Sequence, residues 1–149
     1  MAIVHNHISL TEQVMELMLS GDDGVLEQLR NQYHYADLGR IQNTGKGYFA
    51  FYSMSPNAKK LKTPVLDFEL NDVVGKVGSN PNAVGFVLFI RDGYINNLEA
   101  FTYISDTWPL SDTLVIPGFA EGDKRNLEEV RLKWNQEKTI DFVFEQDIR

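Results

Sequence analysis

The stretch "GFVLFIRDGYINNLEAFTY", residues 85–103, sets a lone carboxylate, Glu99, among aromatic and aliphatic side chains. A carboxylate so placed can do two kinds of chemistry. In a covered pocket it can pass a proton as a general acid or base. On a surface it can accept charge-assisted hydrogen bonds from a cation that a ligand or partner brings. Three other residues extend the candidate site. Arg91 precedes the Asp92-Gly93 turn, Tyr103 follows Glu99 by one helical or two strand repeats, and Trp108-Pro109 leaves the strand for a loop. A Tyr and a Trp at a loop mouth suit the anchoring of a partner. Each residue also has a plainer structural use, and these uses carry more weight. Trp108 then closes the end of a core, and either the face of Glu99 is partly open or Arg91 or Lys76 pairs with the carboxylate. In that case Glu99→Gln destabilises the fold, because it strands the partner's charge.

Other chemistry-bearing patterns fail on context. Gly45-Lys46-Gly47-Tyr48-Phe49-Ala50 has the letters of a dinucleotide fingerprint. That motif works only where a strand turns into a helix that holds the pyrophosphate, and here aromatic residues follow in strand-like alternation. His5-Asn6-His7 lies at a chain end, which is usually mobile, with no acidic ligand near it in sequence. His34 stands at a helix end, where a protonated ring suits the dipole. Asp67 and Glu69 alternate with apolar residues, as the polar face of a strand does. With no cysteine and three scattered histidines, no catalytic triad is supported. No metal and no cofactor are expected.

The positions of these side chains depend on the elements that carry them. Asp92-Gly93 between apolar runs predicts a two-residue hairpin turn with positive φ at both residues. In an uninterrupted register Leu88 would face Asn97 and Phe86 would face Glu99, burying polar groups against a core face. One extra residue at Asn96-Asn97 removes the conflict. Leu88 then pairs with Leu98, Phe86 with Ala100 and Gly85 with Phe101, so parity predicts a β-bulge at 96–97. Glu99, Phe101 and Tyr103 fall on the face opposite Leu98 and Ala100.

Upstream, Ser9-Leu10-Thr11-Glu12 has capping-box spacing and predicts a helix start, with Leu10, Val14 and Leu17 on its apolar face. Ser20-Gly21 ends it, and a second helix starts at Asp22 or Asp23, with Val25, Leu26, Leu29 and Tyr33 inward. "DLGRIQNTGKGYFAFYSM" predicts two strands around a glycine turn, Phe49 and Phe51 facing one way and Tyr48, Ala50 and Tyr52 the other. "SPNAKKLKTP" is expected to be a loop. "VLDFELNDVVGKV" is a strand that continues or bends near Asn71-Asp72. "TLVI" is a short strand ended by Pro117-Gly118. Residues 125–135 fit either element and are placed in a helix on propensity, and "TIDFVFEQD" is a last strand.

A chain of 149 residues with 43% apolar side chains, nine Phe, six Tyr and two Trp supports one packed core without staples. The expected architecture is one α+β domain, residues 1–149, with an N-terminal helical hairpin packed on a mainly antiparallel sheet. The absence of cysteine points to a reducing, cytoplasmic setting. "MAIVHNHISL" lacks the basic and apolar regions of a signal peptide, and no apolar run reaches spanning length. The net charge of −7 disfavours nucleic acid and anionic lipid, whose binding needs clustered Lys and Arg.

"GFVLFIRDGYINNLEAFTYISDTWP", with "FELNDVVGKV" before it and "LMLSGDDGVLEQLR" near the start, resembles a family of small uncharacterised bacterial proteins. Their shared pattern, G-F-x-L-F-x-x-D-G-x-x-x-x-L-E-x-x-x-Y and then W-P, falls here on Gly85, Phe86, Leu88, Phe89, Asp92, Gly93, Leu98, Glu99, Tyr103, Trp108 and Pro109. The resemblance implies a bacterial cytosol and no particular activity, and it includes Glu99, Tyr103 and Trp108. The functional expectation is a non-catalytic protein-binding domain, immunity-like or regulatory, whose partner presents a basic surface. The alternative is a small-molecule-binding or hydrolytic domain with Glu99 in an aromatic-lined pocket. Oligomeric state is not legible.

Overall fold

The computed structural model describes residues 2–103, 107–109, 114–132 and 134. Helix α1 (Ala2–Met18) starts well before the capping signal at Ser9, which lies exposed inside it. Packing explains the difference. His7, Leu10, Thr11, Val14, Met15 and Met18 recur on one buried face, and that continuous stripe outweighs a local cap. His7 is therefore a core residue. Its ring stacks on Tyr48 at 4.2 Å, and its Nε2 lies 2.8 Å from Asn43 Oδ1.

Gly21, at φ +121°, turns the chain into α2 (Gly24–Tyr35). Asp23 is its N-cap, accepting from the backbone N–H of Val25 and Leu26. The same carboxylate accepts from Arg131 Nε at 2.7 Å. Burial opposes its ionisation, but these hydrogen bonds and the Arg131 charge outweigh burial and hold the Asp23 carboxyl below its ordinary 3.8. A depressed folded value contributes stability that is fully present above the ordinary value and is lost as pH falls through the folded one. Asp23→Ala is expected to cost about 1–2 kcal/mol at neutral pH, the range of a lost cap. The deficit should shrink below the ordinary carboxylate value, which urea unfolding at several pH values would check.

The strands are β1 (Ala36–Asn43), β2 (Gly47–Met54), β3 (Phe68–Val77), β4 (Asn80–Arg91), β5 (Tyr94–Thr102) and β6 (Val115–Phe119). Among the described residues they form one antiparallel sheet in the order β1-β2-β5-β4-β3-β6. The fold is α+β, with two N-terminal helices followed by this sheet. The buried face carries Tyr48, Ala50, Phe68, Leu70, Val73, Val84, Phe86, Leu88, Leu98 and Ala100 beneath the helices.

"SPNAKKLKTP" is not wholly loop. Ser55 caps one helical turn, α3 (Pro56–Lys59), with proline at the helix start, where its missing N–H is not needed. The strand at 68–77 both continues and bends, its register shifting between Leu70 and Val73. β6 runs through Pro117-Gly118 instead of ending there, which an edge strand tolerates. Residues 127–132 and 134 are helical, and 127–132 is called α4. Val130 and Trp134 are buried while Leu132 is exposed, so the helical spacing is the one that packs. The expected strand at 139–147 lies outside the described residues.

Candidate functional site

The hairpin that carries Glu99 has the expected geometry. Asp92 and Gly93 have φ of 54° and 80°. Leu88 pairs with Leu98, Phe86 with Ala100 and Gly85 with Phe101, and the register shift falls where Phe89 faces Asn97 but Ile90 faces Ile95. Asn96 is the extra residue. The bulge is held from the helix layer by a residue the sequence did not single out. Gln32 of α2, fully buried, accepts from Ile95 N–H at 2.7 Å and donates to Gly93 O at 3.0 Å and Leu61 O at 3.1 Å. The signal was present as a Gln three residues beyond Leu29 on the apolar face of α2.

Past the bulge, β5 turns Glu99 to the face away from the helices. Glu99 stands between Phe49 on β2 and Val87 on β4, and the next pairs along the strands put Asn97 between Phe51 and Phe89. Phe101 and Tyr103 continue the row. The rings of Phe49 and Phe51 stack at 5.9 Å, and those of Phe101 and Tyr103 meet edge to face at 5.0 Å. Gly85 makes room for the second pair, since a Cβ there would lie 2.6 Å from Tyr103 Oη and 2.9 Å from Phe101 Cζ. At the hairpin end of this face, Tyr94 Oη donates to Lys59 O of α3 at 2.7 Å. Phe49, Phe51, Val87, Phe89, Glu99 and Phe101 are half-buried, and Tyr103 is 60% exposed.

The four sequence candidates are not brought together. Glu99, Tyr103 and Arg91 share the outer face. Trp108 lies on the helix side, against Tyr48 at 5.6 Å, Phe86 at 6.4 Å and His7 at 6.5 Å, where it closes the end of the core. Arg91 does not reach Glu99. Its guanidinium sits 5.1 Å above the Phe89 ring, with Nη2 3.7 Å from Glu69 Oε1. Arg40 stacks likewise on Phe51 at 4.7 Å. The expected ion pair of Glu99 with Arg91 or Lys76 is thus not made, and Glu99 has no salt bridge among the described residues. The cause is the cross-strand register: Glu69 faces Phe89, one pair from Arg91, whereas Glu99 faces Val87.

The arrangement is an apolar row with one carboxylate that has no salt bridge among the described residues and two ring-stacked arginines toward its margin. Such a surface can exclude water around an incoming cation and so strengthen its attraction to Glu99. Two cavities lie elsewhere: one of about 200 Å³ beside Asp72 and Phe119, and one of about 440 Å³ between Tyr33 and Tyr52. Neither is lined by Glu99. Among the described residues no three His, Asp or Glu side chains converge as a metal site would require, and no helix is long and apolar enough to cross a membrane. No protein-family model matches the chain, and no match to it is found among the curated proteins or the solved structures.

Proposed function

We propose that this protein is a non-catalytic binding domain whose outer sheet face docks a protein partner presenting a basic residue to Glu99. The observation that carries the proposal is the Glu99 carboxylate, without a salt bridge among the described residues, within the half-buried row Phe49, Phe51, Val87, Phe89 and Phe101. A rim of Tyr103, Arg91 and Arg40 has the composition from which interface anchors are drawn. The alternative, a hydrolytic or small-molecule site at Glu99, needs a concave pocket around the carboxylate. Glu99 lines neither of the two cavities described above, which favours the docking function. An immunity-like or regulatory role rests on elimination, from a small acidic chain without cysteine or a catalytic motif, and the bacterial cytosol rests on the resemblance of the 85–109 pattern.

Among the described residues no salt bridge depends on the Glu99 charge. Glu99→Gln is therefore expected to leave the unfolding midpoint unchanged or raise it, with the m-value constant. The partner should be sought by affinity capture with wild type and Glu99→Lys as paired baits, then purified and titrated. Glu99→Lys should weaken that complex by at least about thirtyfold, the size of a hot-spot loss. A partner held equally by both baits, or a clearly destabilised Glu99→Gln, would return Glu99 to a structural role.

A further inference from the structure

The outer sheet face gathers more charge than Glu99 alone. Arg40 and Arg91 lie on it through their contacts with the Phe51 and Phe89 rings, and Glu69 faces Phe89. Asp37, beside Ser53 of β2, and Lys76, beside Ile116 of β6, point the same way. Their neighbours Leu38 and Val77 pack into the core, and successive strand residues alternate between faces. The remaining charged strand residue, Asp72, is taken up by Arg125. On this face Asp37, Glu69 and Glu99 are therefore matched by Arg40, Lys76 and Arg91, although the whole chain carries −7. The acidic excess lies elsewhere. Tyr103 and Ile116, both well exposed, add apolar area to the phenylalanine row.

Two of these charges are close without meeting. Glu99 is paired across the ladder with Phe49, and Phe51, beneath the Arg40 guanidinium, is its diagonal neighbour. Diagonal neighbours stand about 7–8 Å apart, beyond the reach of an ion pair. Neither Glu99 nor Arg40 forms a salt bridge among the described residues. An acid and a base side by side on one apolar face are complementary to the same face turned over. A two-fold axis between them sets each acid against the other copy's base, so both contacts form at once.

We infer that the outer face is the contact between two copies of this chain, packed face to face about a two-fold axis. Glu99 of each protomer meets Arg40 of the other, and the phenylalanine rows lie between them. The inference rests on the docking role proposed for this face and names a second copy as the occupant. Apolar burial supplies the affinity and the paired charges fix the register. The net charge of −7 opposes the approach of two copies, but at physiological salt that repulsion is screened over about 8 Å. At the contact itself the charges balance.

The test is sedimentation velocity of the whole protein over a concentration series, where wild type should show a monomer–dimer equilibrium. Glu99→Arg and Arg40→Glu each set like charges together at both contacts, so either alone should weaken the dimer at least about tenfold. An equimolar mixture of the two variants should dimerise again, because opposite charges then face each other at both contacts of the mixed pair. Lys124→Glu makes the same net change as Arg40→Glu but lies beside the Asp72 cavity, and it should leave the equilibrium unaltered. Circular dichroism would confirm that each variant is folded. A wild type that stays monomeric, a dimer indifferent to both reversals, or folded variants that do not recover on mixing would overturn the assignment. A monomeric wild type that still holds a different protein through Glu99 would overturn the second copy as occupant and leave the docking role standing.

Discussion

Arg125→Met is expected to destabilise the protein by about 3–5 kcal/mol, the range for breaking a buried ion pair from one side. The Arg125 side chain is only 4% exposed. Its Nε and Nη2 each donate to Asp72 at 2.8 Å, a bidentate pair. Its Nη1 donates to the carbonyls of Leu17, Met18 and Ser20. One guanidinium therefore satisfies the C-terminal carbonyls of α1 and fastens them to the bend in β3. Carbonyls at and just past a helix C-terminus lack helical partners and lie at the negative end of its dipole, so a fixed cation suits them. Methionine fills much of the space and donates nothing. It leaves the Asp72 carboxylate without its cation and the Met18 and Ser20 carbonyls without this donor, while Leu17 O keeps Ser20. Urea unfolding should show a lower midpoint at unchanged m-value, a large fraction of the total stability of an ordinary domain. A loss under about 1 kcal/mol would mean that water replaces the guanidinium and that the pair is as weak as an exposed one.

Gly93→Val is expected to cost about 3 kcal/mol, against a change within about 0.5 kcal/mol for Asp92→Asn. Backbone strain alone supplies about 1–3 kcal/mol, because a β-branched residue resists φ near +80°. The space is also taken. A Cβ on Gly93 would lie 2.8 Å from the Thr63 carbonyl oxygen and 3.2 Å from its nitrogen. That stretch of backbone cannot withdraw freely. Gly93 O accepts from Thr63 N–H at 3.0 Å and from Gln32 Nε2 at 3.0 Å, and Gly93 N–H donates to Leu66 O at 2.7 Å. Asp92 also has positive φ, a conformation that Asn adopts as readily. Its ion pair with Lys62 is largely exposed and contributes little. Comparable losses from the two substitutions, measured by unfolding, would mean that Asp92 has a chemical role beyond its backbone shape.

These two positions differ in how far the sequence exposes them. Asp92-Gly93 declares its turn locally, because few residues other than Gly, Asn and Asp enter the left-handed region. The bulge at Asn96 was legible for a related reason: side-chain parity admits only one way to keep Leu88 and Leu98 on one face. The division of β2 into Tyr48 and Ala50 on one side, and Phe49 and Phe51 on the other, follows from the same period of two. Arg125 carried no such mark. It sits in a polar stretch, and its partners Leu17 and Asp72 lie far from it in sequence. The helix start was misplaced because the capping box at Ser9 is a local preference, and burial of His7 and Thr11 against Tyr48 and the sheet outweighs it.

For the Glu99 face, the sequence by itself determined that Glu99, Phe101 and Tyr103 point away from Leu98 and Ala100. That is a matter of dihedral preference and alternation within a few residues. Only the tertiary structure decided that β2 lies beside β5, which adds Phe49 and Phe51 to the row, and that Arg91 pairs with Glu69 while Trp108 closes the opposite side. Strand order and the choice of covered face are set by contacts between segments distant in the chain. Their energy comes from apolar area buried jointly, a non-directional term that no single stretch of sequence contains.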